Sequence, residues 1–269
     1  TNTGAFYAYI SRGFGRTSGL AAALLSTLYY IMITVVLTAF LSFYASFTLS
    51  DQLGISVPWQ VCAVVALVLV FALGRLNLTV SSKLLGVAVA LETIMMVVFV
   101  IGTFAHRGLD AFTLAVFTPQ IAFGSSAGIA VLFALYAFGG IESNAIFAEE
   151  ARDPKRTVRR AGLIAPVLLG VFYALGSWTL VAALGAANAP TAAQADPGTV
   201  FFVANTEMVG SWSTSVIQWL LLFSLFAALL GVHNLSNRYL FALGRDRILP
   251  RALSRTTART HAPTRAGEV

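Results

Sequence analysis

The composition of this 269-residue chain excludes an ordinary soluble domain. Hydrophobic residues make up 58% of the sequence and charged residues only 10%, whereas soluble domains carry roughly 25% charged residues. The net charge of +6 could suit nucleic acid, but the basic residues fall in the gaps between apolar runs, as they do in membrane proteins. We therefore expect lipid as the solvent and no nucleic-acid partner.

The residues that build metal sites and enzyme active sites are sparse. Cys62 is the only cysteine, which excludes an intrachain disulfide or a CxxC metal site. The three histidines lie far apart without zinc-ligand spacing, and no His, Asp and Cys residues cluster near one end of an apolar run. We expect neither an enzyme nor a bound cofactor or metal.

Six apolar runs approach or exceed the roughly 20 residues that cross a bilayer as a helix. Strands of a membrane barrel would be short and alternating, whereas these runs are long and apolar on all sides. The expected fold is an all-α integral membrane protein with six transmembrane helices. The candidate spans are residues 17–48, 57–73, 84–104, 124–147, 161–184 and 213–236.

The basic residues predict the orientation of these spans. If the N-terminus is cytoplasmic, every one of the 17 Lys and Arg residues except Arg107 lies on the cytoplasmic side. Both ends of the chain are then cytoplasmic in a multi-pass protein of the cell membrane. The semi-polar stretch 199–208 is expected along the outer surface, and residues 239–253 are expected to form an amphipathic cytoplasmic helix interrupted at Pro250.

The fourth span contains the most informative residues. Gly139 and Gly140 sit inside an apolar run, and Glu142 follows almost at once. Each glycine costs a helix about 1 kcal/mol relative to alanine, and an acid at bilayer depth costs about 2.5 kcal/mol or more. These costs suggest a helix broken at Phe138 to Ile141, the kind of break that binds substrates in transporters. Close helix packing by the glycines and a protonated structural Glu142 explain the same residues equally well.

The sequence that follows favours the transporter. Residues 138–161 run FGGIESNAIFAEEARDPKRTVRRA, and the stretch resembles the amino acid–polyamine–organocation permeases, which carry a Phe-Gly-acid motif followed by AEE-x-x-x-P-x-R. GAFYAY and GFG near the N-terminus, and RYLFALGRD with a following Leu-Pro, are similar to two further loops of that family. The usual glycine after Arg-Asp is Arg247 here. The resemblance covers essentially the whole chain.

The resemblance implies a fold, and it implies that half of the substrate site lies on helices outside this chain. Family members consist of two inverted five-helix repeats, and these six spans match about helices three to eight. The chain also starts at Thr1 and not at Met. We therefore expect a fragment, whose partners include the lipid bilayer and the missing helices of the same full-length protein.

The resemblance also implies roles for individual residues. The substrate-binding candidates are Phe138, Gly139, Gly140, Ile141 and Glu142 in the broken segment, Tyr136 as an aromatic gate, and Tyr30 in the first span. Glu142 and Glu92 are the candidates for coupling to protons. Core packing is the alternative for Tyr30 and Tyr136, and a structural buried acid is the alternative for Glu92.

The function expected from this combination is secondary active transport of amino acids or related amines, with proton symport as the expected coupling. A similar-fold permease for nucleobases or polyamines is the nearest alternative. A channel is a more distant one, since it would need a carbonyl filter or rings of charge in a symmetric oligomer.

Polar residues near the end of the sixth span, His233, Asn234 and Asn237, are expected to join helices by hydrogen bonds.

Overall fold

Helices make up all the regular structure that the computed structural model describes, which comprises residues 6–75, 82–124, 127–139, 154–245 and 248–250. Two short 3₁₀ helices, Leu109–Ala111 and Leu114–Phe117, follow α4. The α-helices are α1 Phe6–Phe14, α2 Arg16–Leu53, α3 Trp59–Arg75, α4 Ser82–Arg107, α5 Pro119–Ala122, α6 Ala127–Ala137, α7 Pro154–Leu184, α8 Ala189–Ala195, α9 Val200–Met208 and α10 Ser211–Arg245.

Four of these helices, α2, α4, α7 and α10, are long and apolar enough to cross a membrane. The apolar helices α3 and α6 are shorter. Every candidate span overlaps one of these six helices, although only residues 127–137 of the fourth span lie in a described helix. The all-α membrane class is therefore confirmed, whereas the number of spans and the inverted repeat stay predictions.

The chain divides into two compact units. The first comprises Thr1–Leu91 and Ile217–Val269, and its core includes Leu41, Val70 and Leu229 from α2, α3 and α10. Near its N-terminus the chain turns sharply from α1 into α2 at Gly15, whose φ of 91° is readily adopted only by glycine.

Hydroxyl groups along α2 bond to the helix itself. Thr27, Thr34, Thr38 and Ser42 each donate to the backbone carbonyl four residues earlier, as Thr34 does to Tyr30 at 2.8 Å. Lipid offers such groups no partner, so these bonds let α2 carry polar residues at membrane depth.

Side-chain amides join α2 to α10 in the first unit. The side chain of Gln218 is only 1% exposed. It donates to the Asp51 carboxylate at 3.1 Å and accepts from the Gln52 amide at 2.7 Å. Breaking such a buried network leaves polar groups without partners, which costs about 1–3 kcal/mol per group.

The last helix differs from the sequence-based expectation. Of the helix expected over 239–253, residues 239–245 are helical, but they are the end of α10, which continues without a break from the sixth span to Arg245. Tyr239, Leu240 and Leu243 are buried in the first unit, so packing of this apolar face extends the helix beyond the predicted span.

The second unit comprises Glu92–Val216, and Phe99, Ala183, Ala204 and Met208 form its core. The stretch expected along the outer surface is helix α9, whose Asn205 is fully buried. The Asn205 amide donates to the hydroxyls of Ser213 at 3.1 Å and Thr214 at 2.8 Å. These bonds join α9 to the first turn of α10.

The segment between α4 and α5 is anchored on α7 within the second unit. Trp178 donates its indole N–H to the carbonyl of Thr113 at 3.2 Å. Phe112 and Phe117 each pack edge-on against the Trp178 ring with centroids 5.5 Å apart. At the end of α4, Arg107 forms an exposed ion pair with Glu207 of α9 at 3.0 Å. An exposed pair of this kind contributes at most about 1 kcal/mol.

Candidate functional site

Helix α6 ends at the point where the sequence predicts a break. The Phe138 N–H still reaches the carbonyl of Ala134, at 3.3 Å, but the Gly139 N–H bonds to Tyr136 three residues earlier, at 2.9 Å. A change from four-residue to three-residue spacing tightens the last turn of a helix. Phe138 and Gly139 lie in this turn, after the last helical residue, Ala137.

The remaining residues of the predicted break, Gly140, Ile141 and Glu142, lie outside the described residues. The contribution of each to a substrate site therefore stays a prediction. What the described part provides is a helix terminus with carbonyls that lack a partner within α6, since the last four carbonyls of any helix have none.

A tyrosine from α7 supplies one such partner. The Tyr173 hydroxyl donates to the carbonyl of Ala137 at 3.3 Å. The Tyr173 ring also packs edge-to-face against Phe138, with centroids 5.9 Å apart and planes at 85°. Sequence reasoning missed Tyr173, because it lies in an apolar run of a different span with no motif around it. A tyrosine at membrane depth needs a hydrogen-bond partner for its hydroxyl. This need was the only feature of the sequence that pointed to Tyr173.

Tyr136, the expected aromatic gate, is the last tyrosine of α6, and its side chain is 41% exposed. It lies in the same turn as the Gly139 N–H that bonds to its carbonyl. Tyr136 and Phe138 thus lie at the terminus of α6, and the Phe138 ring contacts the Tyr173 ring of α7, all in the second unit.

Tyr30 belongs to the first unit and is only 4% exposed. Its ring lies 5.4 Å from the ring of Tyr29 and 5.4 Å from that of Tyr239 on α10. Tyr30 is therefore packed in the core of the first unit, and it also lines a groove.

That groove, between α2, α3 and α10, has a volume of about 440 Å³. Most of its lining is apolar, including Leu67 and Phe71, and the polar lining residues are Thr34, His233, Ser236 and Asn237. A built Cβ at Gly74 would lie 2.8 Å from the His233 ring, so α3 and α10 approach closely at this glycine. Small residues allow such approach between membrane helices.

Glu92, the second coupling candidate, is half-buried on α4 at the start of the second unit. Its role in coupling stays a prediction. Among the residues that the structure describes, no three His, Cys, Asp or Glu side chains lie close enough together to hold a metal ion.

Comparison with known proteins reveals the family. A family model described as amino acid permease matches residues 1–267. An uncharacterized transporter of Mycobacterium tuberculosis is 30% identical over 76% of this chain and 45% of its own length.

Two further relatives carry more specific names. A branched-chain amino acid permease of Lactococcus lactis is 31% identical over 52% of this chain and 30% of its own. A vacuolar cationic amino acid transporter of Arabidopsis thaliana is 28% identical over 79% and 33%. The chain thus spans less than half the length of these relatives. Since the family model covers nearly every residue, the chain belongs to the amino acid permease family, as the resemblance over residues 138–161 indicated.

Proposed function

We propose that the full-length protein is a secondary active transporter that moves amino acids or related amines across the cell membrane. The observation that carries this proposal is the family match over residues 1–267, in a chain whose α6 ends at Ala137 beside a glycine pair. Neither enzyme chemistry nor a cofactor is part of the proposal.

The terminus of α6 suggests how such a substrate binds. Carbonyls at a helix C-terminus carry partial negative charge, and at membrane depth they need partners that lipid does not supply. The ammonium group of an amino acid or amine is a suitable partner. Phe138, Gly139, Gly140 and Ile141 would supply the carbonyls, and the aromatic rings near the terminus would cover the bound substrate.

Glu142 is proposed to couple transport to protons, because a carboxylate beside the carbonyls changes the charge of the site when it titrates. Its cost at membrane depth, about 2.5 kcal/mol or more, is then offset by a functional role. Glu92 on α4 is proposed as a second acid in the same cycle. Symport of a proton is the proposed direction of coupling.

The substrate class proposed here is broad for a physical reason. Two of the relatives are named for branched-chain and for cationic amino acids, whose side chains need opposite environments. The other half of the site is expected on helices beyond this chain, because such sites form between two repeats. Polyamines and nucleobases remain the alternative substrates.

The proposed orientation places both ends of this chain in the cytoplasm. Arg107 and Asp196 then face outside, and Arg156 faces inside with most other basic residues. The six spans 17–48, 57–73, 84–104, 124–147, 161–184 and 213–236 would form part of an inverted-repeat bundle of five plus five helices.

The test is uptake by the full-length protein in liposomes, with a panel of radiolabelled amino acids, cadaverine, putrescine and uracil. We expect saturable uptake of at least one amino acid or amine, stimulated by an inward proton gradient and by the same unlabelled compound inside. Uptake that neither saturates nor responds to the proton gradient or to internal substrate would support the channel. Uptake of uracil alone would support the nucleobase alternative.

Two variants test the site, and a third serves as a control. Glu142→Gln should uncouple uptake from the proton gradient while expression stays intact, and Gly140→Leu should block binding. Gly231→Ala is the control, since a built Cβ at Gly231 meets no atom within 4 Å. Normal uptake by both site variants would contradict the proposed roles of these residues.

A further inference from the structure

We infer that the groove between α2, α3 and α10 binds one phospholipid, with an acyl chain along its apolar lining and the phosphate beside His233 and Asn237. All the lining residues belong to the first unit, so the site involves no contact between the two units. Lipid binding at this groove goes beyond the proposed transport and does not depend on it.

Three of the four polar residues that line the groove lie on one face of α10. Ser236 and Asn237 follow His233 by three and four residues, and this spacing places side chains on the same side of a helix. On α3, Gly74 leaves room for the His233 ring, since a built Cβ there would lie 2.8 Å from it. One side of a mostly apolar groove can therefore form hydrogen bonds with a bound molecule.

Asn237 indicates that this side of the groove holds a ligand. It is only 8% exposed, and no other described residue forms a hydrogen bond with its side chain. The hydroxyls of Thr34 and Ser236, in contrast, each donate to a backbone carbonyl four residues earlier in their own helices. A buried amide without a partner is costly, and lipid hydrocarbon offers it none. A bound group that accepts hydrogen bonds would remove this cost.

The groove has the width of a hydrocarbon chain. Its lining on α10 runs from Leu229 to Leu240, which is about 16 Å at 1.5 Å per residue. A volume of about 440 Å³ over this length corresponds to a slot roughly 6 Å wide. The body of a helix, about 10–12 Å across, is too wide for it, whereas one acyl chain fits, because carbon atoms pack about 3.5–4.0 Å apart. Val35 and Val68 in its lining are each 60% exposed, so a chain can enter from the side.

The polar residues lie at the end of the groove where a lipid headgroup would be. Helix α3 ends at Arg75, one residue after the glycine that lies against the His233 ring. The proposed orientation places that end of α3 in the cytoplasm, and Leu67 then lies about 10 Å deeper in the membrane. A phospholipid of the cytoplasmic leaflet has this arrangement of head and tail. Its phosphate oxygens accept hydrogen bonds, which the Asn237 amide and the imidazole N–H of His233 can donate.

The test measures thermal unfolding of the full-length protein in detergent after bound lipid has been washed away. Phosphatidylglycerol, diacylglycerol with the same acyl chains, and inorganic phosphate are each titrated into the protein. We expect phosphatidylglycerol to raise Tm, because a ligand that binds only the folded protein stabilises it. Diacylglycerol should need at least a tenfold higher concentration for the same rise, and inorganic phosphate alone should give none.

The titration also contains the results that would overturn the inference. No rise in Tm with phosphatidylglycerol would refute a lipid site. An equal effect of diacylglycerol would show that the phosphate is not recognised. A rise with inorganic phosphate alone would assign the polar residues to a free anion.

Two tryptophan variants locate the lipid. Leu67 and Leu69 are both on α3 and both 48% exposed, but only Leu67 lines the groove. Leu67→Trp should fill the groove and raise the phosphatidylglycerol concentration for half of the Tm rise at least tenfold, whereas Leu69→Trp should leave it unchanged. Equal responses of the two variants would place the lipid elsewhere. A lower Tm in Leu67→Trp without lipid, with lipid binding unchanged, would show that another part of the full-length protein covers the groove.

Asn237→Leu separates phosphate binding from a role in joining helices. The variant keeps a side chain of similar size and removes the amide. Without lipid its Tm should be unchanged or higher, because the amide has no described partner to lose. It should raise the phosphatidylglycerol concentration for half of the Tm rise about tenfold, the effect of one hydrogen bond to a charged group. A fall in Tm that is the same with and without lipid would show that Asn237 joins helices and would contradict its role in binding phosphate.

Discussion

Gly102 on α4 packs closely against the end of α9, with no room for a side chain. A built Cβ at this position lies 2.6 Å from a methyl group of Val209 and 2.8 Å from the carbonyl oxygen of Met208. Carbon atoms in normal contact are about 3.5–4.0 Å apart, so Gly102→Ala places the new methyl group roughly 1 Å too close to its neighbours. The substitution should destabilise the second unit.

The size of the effect depends on whether these neighbours can move. The Val209 side chain can rotate only at some cost, because β-branched residues have few favourable rotamers. The carbonyl of Met208 belongs to the backbone at the end of α9, where Val209 and Gly210 both donate to the carbonyl of Asn205. The buried Asn205 side chain is itself bonded to Ser213 and Thr214. The end of α9 must therefore shift as a whole, and overpacking of this kind costs about 2 kcal/mol.

The assay measures thermal unfolding of the full-length protein in detergent. The quantity recorded is the fraction of protein that still elutes as a monodisperse peak after heating. A cost of about 2 kcal/mol corresponds to a fall in Tm of about 4–8 °C in a domain of this size. Gly86→Ala is the control on the same helix, since a built Cβ at Gly86 meets nothing within 4 Å. It should leave Tm unchanged or raise it slightly, because alanine favours helix.

A double variant separates the two contacts. Val209→Ala removes the methyl contact but not the contact with the Met208 carbonyl, so it should rescue less than half of the fall in Tm caused by Gly102→Ala. Full rescue would show that the backbone at the end of α9 adapts freely. A Tm for Gly102→Ala equal to that of Gly86→Ala would refute the close packing of α4 against α9.

Three further predictions concern other parts of the chain. Gly74→Ala should lower Tm by an amount equivalent to about 1–2 kcal/mol, because the new methyl group would lie 2.8 Å from the His233 ring. A second substitution, His233→Ala, should relieve this defect, and the control Gly231→Ala should leave Tm unchanged. Glu92→Gln should flatten the pH dependence of uptake if this acid takes part in coupling, whereas an unchanged pH profile would leave it a structural role. A single cysteine introduced at Arg156 in a cysteine-free protein should react with an impermeant maleimide only after the membrane is opened, and strong labelling from outside would refute the proposed orientation.

Several properties of this protein could be predicted from its sequence, because they depend on local physical chemistry. Long apolar runs must form helices in lipid, where every backbone group needs an internal partner, and the described helices overlap every run that was identified. The end of α6 is another local property. Glycine lowers helix stability wherever it occurs, and α6 ends at Ala137, just before Phe138 and the glycine pair. The family followed from a short motif over residues 138–161, which the match over residues 1–267 confirms.

The partners of individual side chains were decided only by the tertiary structure. These helices are apolar on nearly every side, so hydrophobic periodicity does not indicate which face of a helix is buried. The packing of Tyr30 against Tyr239, and the hydrogen bond from Tyr173 to Ala137, depend on how each helix is rotated about its axis. Contacts between residues far apart in the chain set that rotation. The sequence could therefore locate the end of α6, but only the packed helices identify Tyr173 as the residue that bonds to it.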